Sequence, residues 1–255
     1  MLIPDRFTHT AYHALCDQFS VSFKLMTRCE LSWSRETLLH LFEALRRRSS
    51  SMNRLRRPAD GVYILDQTAD TPTRRQLRLD ENSVRVGFSG VCDLEQFELF
   101  CLETLELVGV HLGITPLDLD RAEAVFRFDL EYTGNHHELL AEAFLGQSPL
   151  RGAWEQTQAN TGCMLSLSAS IGEACSILAN TELRPRTGIY DIRAGEFHPD
   201  ALSTLLRVRR CWSSADDGSV DQVVKDLLRL ADGYADARTL PSVVMPLSQA
   251  IASRR

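Results

Sequence analysis

Glu123-Ala-Val-Phe-Arg-Phe-Asp-Leu-Glu-Tyr-Thr-Gly-Asn135 decides how the rest of the chain is read. Phe126, Phe128, Leu130 and Tyr132 alternate with Arg127, Asp129 and Glu131. Successive side chains leave a strand on opposite sides, so this is a strand with one apolar and one charged face. Gly134 ends it. Asn135, with Glu138 three residues on, has the spacing of a capping box and predicts a helix from Asn135 to Leu145.

The same strand–hinge–helix unit recurs on either side. Val21, Phe23 and Leu25 alternate with Ser22 and Lys24 in a strand expected over 20–31, and Ser34 then caps a helix through Arg48. Gly61 to Leu65 reads as a short buried strand. Leu77 to Phe88 reads as a hairpin turning at 80–82, and Asp93 starts a helix through Val108. Beyond the central strand, Cys163 to Ser170 and Ala174 to Leu183 form a hairpin turning near Gly172-Glu173. Gly188 to Arg193 reads as a further short strand. Pro199 sits as at a helix start, although Leu206-Arg-Val-Arg209 also alternates. Ser219 with Gln222 opens the most regular helix, to Tyr234, and another short helix follows Pro246.

Written as a string, 20–108 is βαββα and 123–234 is βαβββα. The fold class is therefore α+β: tandem βαββα-type halves, with helices on one face of a mostly antiparallel sheet. The halves are 1–112 and 113–255, joined through 109–120, and they can pack as one continuous domain. From Ser20 to Tyr132 the βαββαβ order resembles the ferredoxin-like topology, which hosts many unrelated functions.

Bulk composition narrows the classes. A chain of 255 residues, 44% hydrophobic and 24% charged, is ordinary for a globular protein. A net charge of −6 gives no global attraction to nucleic acid or an anionic membrane. The seven cysteines are scattered with no Cys-x-x-Cys, which argues against a disulfide framework. No run of about 18 apolar residues exists, and the start lacks a signal-peptide pattern. Together these point to a reduced, cytoplasmic protein.

Charge is nevertheless segregated. Arg46, Arg47, Arg48, Arg54, Arg56 and Arg57 fall within twelve residues that hold no acid, and 45–79 carries +6 against −12 for the remainder. Guanidinium forks suit phosphate and carboxylate, so an anionic partner is one reading. A solvated helix end is the other, because cations near a helix C-terminus are favourable by themselves. The run lacks the interleaved aromatics that single-strand binders stack on, so nucleic acid is not favoured.

Other local signals are weak. His136 and His137 beside Glu138 lack the i, i+4 spacing of a zinc helix, and adjacent helical residues point about 100° apart, so no metal is expected. Gly87-Phe-Ser-Gly90 is one residue short of a nucleophile elbow. Cys101 lies on an apolar helix stripe, and Cys163 and Cys175 lie in strand-like stretches. No dinucleotide or phosphate-loop glycine motif is present, and no cofactor is expected.

The first expectation is thus a non-catalytic binding protein that meets another protein or an anionic ligand. The alternatives are a phosphate- or nucleic-acid-binding protein using Arg46–Arg57, and an enzyme with dispersed residues in a cleft between the halves. Arg127, Asp129 and Glu131 are the residues for such a cleft.

Overall fold

The computed structural model describes residues 6–58, 61–68, 71–153, 161–171, 176–212 and 219–254. Its frame is one nine-stranded sheet in the order β2-β3-β4-β5-β1-β6-β9-β8-β7, with every neighbouring pair antiparallel. The strands are β1 (Gln18–Thr27), β2 (Met52–Arg56), β3 (Tyr63–Gln67), β4 (Thr73–Asp80), β5 (Ser83–Gly90), β6 (Leu119–Thr133), β7 (Leu165–Ile171), β8 (Ile177–Arg184) and β9 (Pro199–Cys211). β1 and β6 pair at the centre, so the sheet runs unbroken from one half of the chain to the other.

One face of the sheet is apolar across its width. In one cross-strand row Leu55, Leu65, Leu77, Val86, Phe23, Ala124, Val208 and Ala179 follow one another. All but Leu55, on the edge strand, are buried. Helices α1 (Arg35–Arg48), α2 (Leu94–Leu112) and α5 (Val220–Tyr234) bury their apolar stripes in the same core: Leu38, Leu41, Phe42 and Leu45 from α1, and Val223, Val224, Leu227 and Leu228 from α5. These positions recur at helical spacing, so one stripe meets the sheet and the other faces solvent.

The caps fall where the sequence puts them. Ser34 accepts from Thr37 N at 3.0 Å, Asp93 from Glu95 N at 2.9 Å, Asn135 from His137 N at 3.0 Å and Ser219 from Gln222 N at 3.2 Å. α2 continues to Leu112 and stops at Gly113, whose φ of 67° is the left-handed C-cap conformation that glycine adopts freely. The joint between the halves is therefore shorter than 109–120, since β6 already starts at Leu119.

Phe126 and Phe128 are fully buried on the helix face and Leu130 nearly so, while Tyr132 is half-buried. α3 (His136–Leu140) passes into a π-helical turn, Ala141–Leu145. From Val220 the chain stays helical through Ala235–Val244 to α6 (Met245–Ala252). Pro241 lies inside the π-helical stretch, where the widened turn accommodates a residue that cannot donate.

Three expectations change. The first half contains four strands between its helices: β3 and the β4–β5 hairpin lie where strands are expected, and the Arg-rich β2 is the addition. Gly188 to Arg193 is not a strand. It opens helix α4 (Ile189–Ala194), because Asp191 accepts from Gly188 N at 2.7 Å and closes the first turn. Pro199 starts β9 rather than a helix; it is the first residue of the strand, where a missing N–H is tolerated. The turn expected at Gly172-Glu173, together with Cys175, lies outside the described residues, while β7 and β8 pair as expected. Among the described residues no helix is long and apolar enough to cross a membrane.

Candidate functional site

The face of the sheet turned away from α1, α2 and α5 is polar, and arginine dominates it. Three adjacent cross-strand rows define its centre. One runs Arg74, Ser89, Ser20, Arg127, Leu205 and Glu182. The next runs Gln76, Gly87, Ser22, Val125 and Arg207, and the third Arg78, Arg85, Lys24, Glu123 and Arg209. Small residues (Ser20, Ser22, Gly87, Ser89) occupy the middle of the sheet and long ones surround them. The result is a hollow of about 540 Å³ astride the β1–β6 pairing.

Among the described residues its lining includes Arg74, Arg85, Arg127, Arg184, Arg186 and Arg207, against one carboxylate, Glu123. Some of these guanidinium groups are held. Arg127 Nε donates to Asp129 at 2.8 Å and its Nη2 to Ser203 at 3.2 Å. Arg184 and Arg207 share Glu182, at 2.8 and 3.1 Å, and these two arginines hold its carboxyl below the usual range although partial burial opposes them. Glu123 accepts from Arg209 at 2.8 Å. Arg74, Arg85 and Arg186 make no ion pair among the described residues.

One end of the third row is crowded with cations, while at the other end Glu123 faces Lys24 on one side and Arg209 on the other. Arg78 lies directly opposite Arg85, and Arg85 directly opposite Lys24. Like charges facing each other across strands destabilise a sheet. Asp80 relieves Arg78 at 3.3 Å, but no carboxylate among the described residues lies within ion-pair distance of Lys24 or Arg85. Desolvation first, and then the charge of Arg85, lower the pKa of Lys24. Desolvation and then Arg78 lower that of Arg85.

The residues singled out from the sequence are dispersed. Arg46, Arg47 and Arg48 end α1, with Arg47 on Glu43 at 3.0 Å and Arg48 on Glu106 at 2.8 Å. Arg54 and Arg56 belong to edge strand β2 and lie on the polar face. Both hold the buried Asp66, Arg54 through two hydrogen bonds of 2.7 and 2.8 Å. Burial raises the pKa of Asp66, and the hydrogen bonds from Arg54 and Arg56 outweigh it and lower it. Arg57 lies over the Tyr63 ring at 5.0 Å. The six arginines are thus two groups separated by a turn rather than one patch.

Of the cleft candidates, Arg127 lines the hollow and Glu131 lies exposed near the strand end. Asp129 is the correction. Expected on a solvated face, it is buried, because Ser203 on β9 donates to it at 2.6 Å and Arg127 covers it.

His136 and His137 serve the chain rather than a ligand. His136 is fully buried; its Nδ1 accepts from Arg186 N at 3.1 Å and its Nε2–H points to Tyr132 O at 3.3 Å. His137 Nδ1 accepts from Cys163 N at 2.8 Å and its Nε2–H donates to Thr187 O at 3.2 Å. The two imidazoles therefore anchor the segment that carries Arg186 to the rim. Among the described residues no group of three His, Cys, Asp or Glu side chains could hold a metal ion. Gly87-Phe-Ser-Gly90 forms no elbow: Gly87 and Ser89 belong to the floor, and Gly90 has φ 95° with Pro72 O 2.1 Å from where a Cβ would stand. Cys101 is buried in the core, as its helix stripe suggests.

Sequence reading missed Arg74, Arg85, Arg184, Arg186 and Arg207. No two of them on one strand are close enough to form a motif, and only the pairing of six strands assembles them. The available signal was the use of arginine at alternating polar strand positions, as in Arg207-Val-Arg209 and Arg121 to Arg127. No protein-family model matches the chain, and no curated protein is significantly similar to it.

Proposed function

We propose that this protein is a non-catalytic binding protein whose central sheet hollow takes an anionic ligand. The observation that carries the reading is the charge of the lining: among the described residues, six arginines to one carboxylate, three of those arginines without an ion pair to another described residue. Opposed cations cost stability in the empty sheet. An anion placed between them converts repulsion into charge-assisted hydrogen bonds. The floor adds serine hydroxyls, which donate to oxyanions and carry no charge.

Binding is favoured over proton-transfer chemistry by the types of group present. Guanidinium, hydroxyl and amide groups line the hollow, and Arg209 already engages its carboxylate. The polar rows contain no aromatic side chain on which bases could stack, which speaks for a compact anion over a single-stranded nucleic acid. Arg54 and Arg56 extend the cationic face toward the β2 edge, so part of the basic run contributes to the same surface.

The reading includes an internal duplication. β1 pairs with β5 and β6 with β9, and each half then meanders outward to its own edge strand. The duplicated halves would meet at β1–β6, which sets the hollow at their junction. The ferredoxin-like part of the reading is supported by the order β4-β5-β1-β6 with α1 and α2 as connections, in which β2 and β3 would be insertions. A reducing, cytoplasmic setting is supported by six free cysteines among the described residues.

Calorimetric titration with inorganic pyrophosphate at two ionic strengths tests the proposal. Binding should be measurable and should weaken with salt, as expected where cations neutralise a polyanion. Gly87→Leu should weaken it at least about tenfold, equivalent to 1.4 kcal/mol. A Cβ there meets Ser22 Cβ and Val21 O at 3.5 Å, an ordinary contact, so the backbone accepts a side chain and the rest of the leucine fills the floor; unchanged thermal unfolding of the variant is the control. A wild-type protein that binds no pyrophosphate, or a Gly87→Leu variant that binds it as well, overturns the reading.

A further inference from the structure

The cations around the hollow are not spread evenly. At one end Arg85 lines the hollow, with Lys24 and Arg78 directly opposite it on the neighbouring strands; at the other end stand Arg74, Arg127 and Arg184. Lys24 and Ser20 mark these two rows on β1. Four residues of strand separate them, about 13 Å at roughly 3.3 Å per residue. Between them lies the middle row, where Gly87, Ser22 and Val125 are short and uncharged and Arg207, already paired with Glu182, stands at the β9 end.

We propose that the ligand is a short-chain aliphatic molecule carrying a phosphate at each end, of the sugar- or polyol-bisphosphate class. This rests on the anion-binding reading and deepens it. One phosphate sits within reach of Lys24, Arg78 and Arg85, and the other of Arg74, Arg127 and Arg184. The carbon skeleton crosses Gly87, Ser22 and Val125, where small side chains leave room and the Val125 methyls face it.

Charge supports two phosphates over one carboxylate. A phosphate monoester brings about −1.5 to −2 charges near neutral pH, so a bisphosphate brings roughly −3 to −4. The lining carries five more cations than carboxylates. A single carboxylate leaves most of that excess in place, and a bisphosphate removes most of it. Size points the same way, because 540 Å³ is within the range of small-molecule pockets and several times larger than one phosphate needs.

Equilibrium titrations with inorganic phosphate, fructose 1,6-bisphosphate and oligothymidylate test the proposal, each on the wild type and on the Lys24→Gln/Arg85→Gln double variant. The bisphosphate should bind the wild type at least about tenfold more tightly than phosphate. The double variant should lose that advantage while its affinity for phosphate, taken by the other end, changes by less than about threefold, or 0.7 kcal/mol. Equal affinity for phosphate and bisphosphate overturns the two-ended ligand and leaves the anion-binding reading standing. Oligothymidylate binding more tightly than the bisphosphate overturns it in favour of nucleic acid. No binding of any of the three overturns both.

Discussion

Arg85→Gln should make the empty protein more stable. Arg85 faces Arg78 on one side and Lys24 on the other across adjacent strands. Two unit charges about 6 Å apart in water repel by roughly 0.7 kcal/mol. Two such pairs, partly offset by attraction to Asp80 and Glu123, leave a net cost near 1 kcal/mol at low salt. Glutamine keeps the length and polarity of the side chain and removes its charge. Urea denaturation at low ionic strength, in a buffer without phosphate, should show a gain of about 0.5–1.5 kcal/mol, and thermal unfolding a rise of roughly 2–4 °C. The gain should shrink at physiological salt, where the screening length is about 8 Å. A loss above about 1 kcal/mol would show that Arg85 braces the sheet and that its cationic neighbours do not destabilise it.

Four further outcomes are expected. Phe128→Ala removes a fully buried ring from the core and should cost about 3–5 kcal/mol in chemical denaturation; a cost below about 1 kcal/mol would contradict the register of β6. Gly90→Ala forces a left-handed conformation onto a side chain that meets Pro72 O, and should cost at least about 1–3 kcal/mol by the same assay. Asp66 has a folded pKa below its unfolded one, so its contribution is complete above the unfolded value and disappears as pH falls through the folded value; Asp66→Asn should flatten that part of the acid-stability curve. Burial lowers the pKa of His136, chiefly by desolvation, so stability should fall as pH drops below about 6.5. Hydrogen exchange at Arg186 N, whose acceptor is His136 Nδ1, should accelerate over the same range.

Much of the frame was legible in the chain because it depends on local chemistry. Ser34, Asp93, Asn135 and Ser219 cap helices through their own side chains, and the Phe126–Tyr132 alternation fixes a strand and its faces. The misreadings occur where tertiary pairing overrides a local cue. Met52 to Arg56 has no apolar alternation, and it is a strand because β3 pairs with it and Asp66 neutralises its arginines. Pro199 resembles a helix start, yet Thr133 lies opposite it on β6. Asp129 looks solvated from its neighbours in sequence and is buried by a serine 74 residues away. The hollow was illegible for the same reason: its lining is drawn from six strands, and their proximity is a property of strand order.

Amide chemical shifts of the ¹⁵N-labelled protein, followed during titration with pyrophosphate, locate the bound anion. Saturable shifts are expected at Ser20, Ser22, Gly87 and Ser89, the floor of the hollow, with little change at Arg46, Arg47 and Arg48. Shifts confined to 46–57, or no saturable shifts at all, would contradict the account.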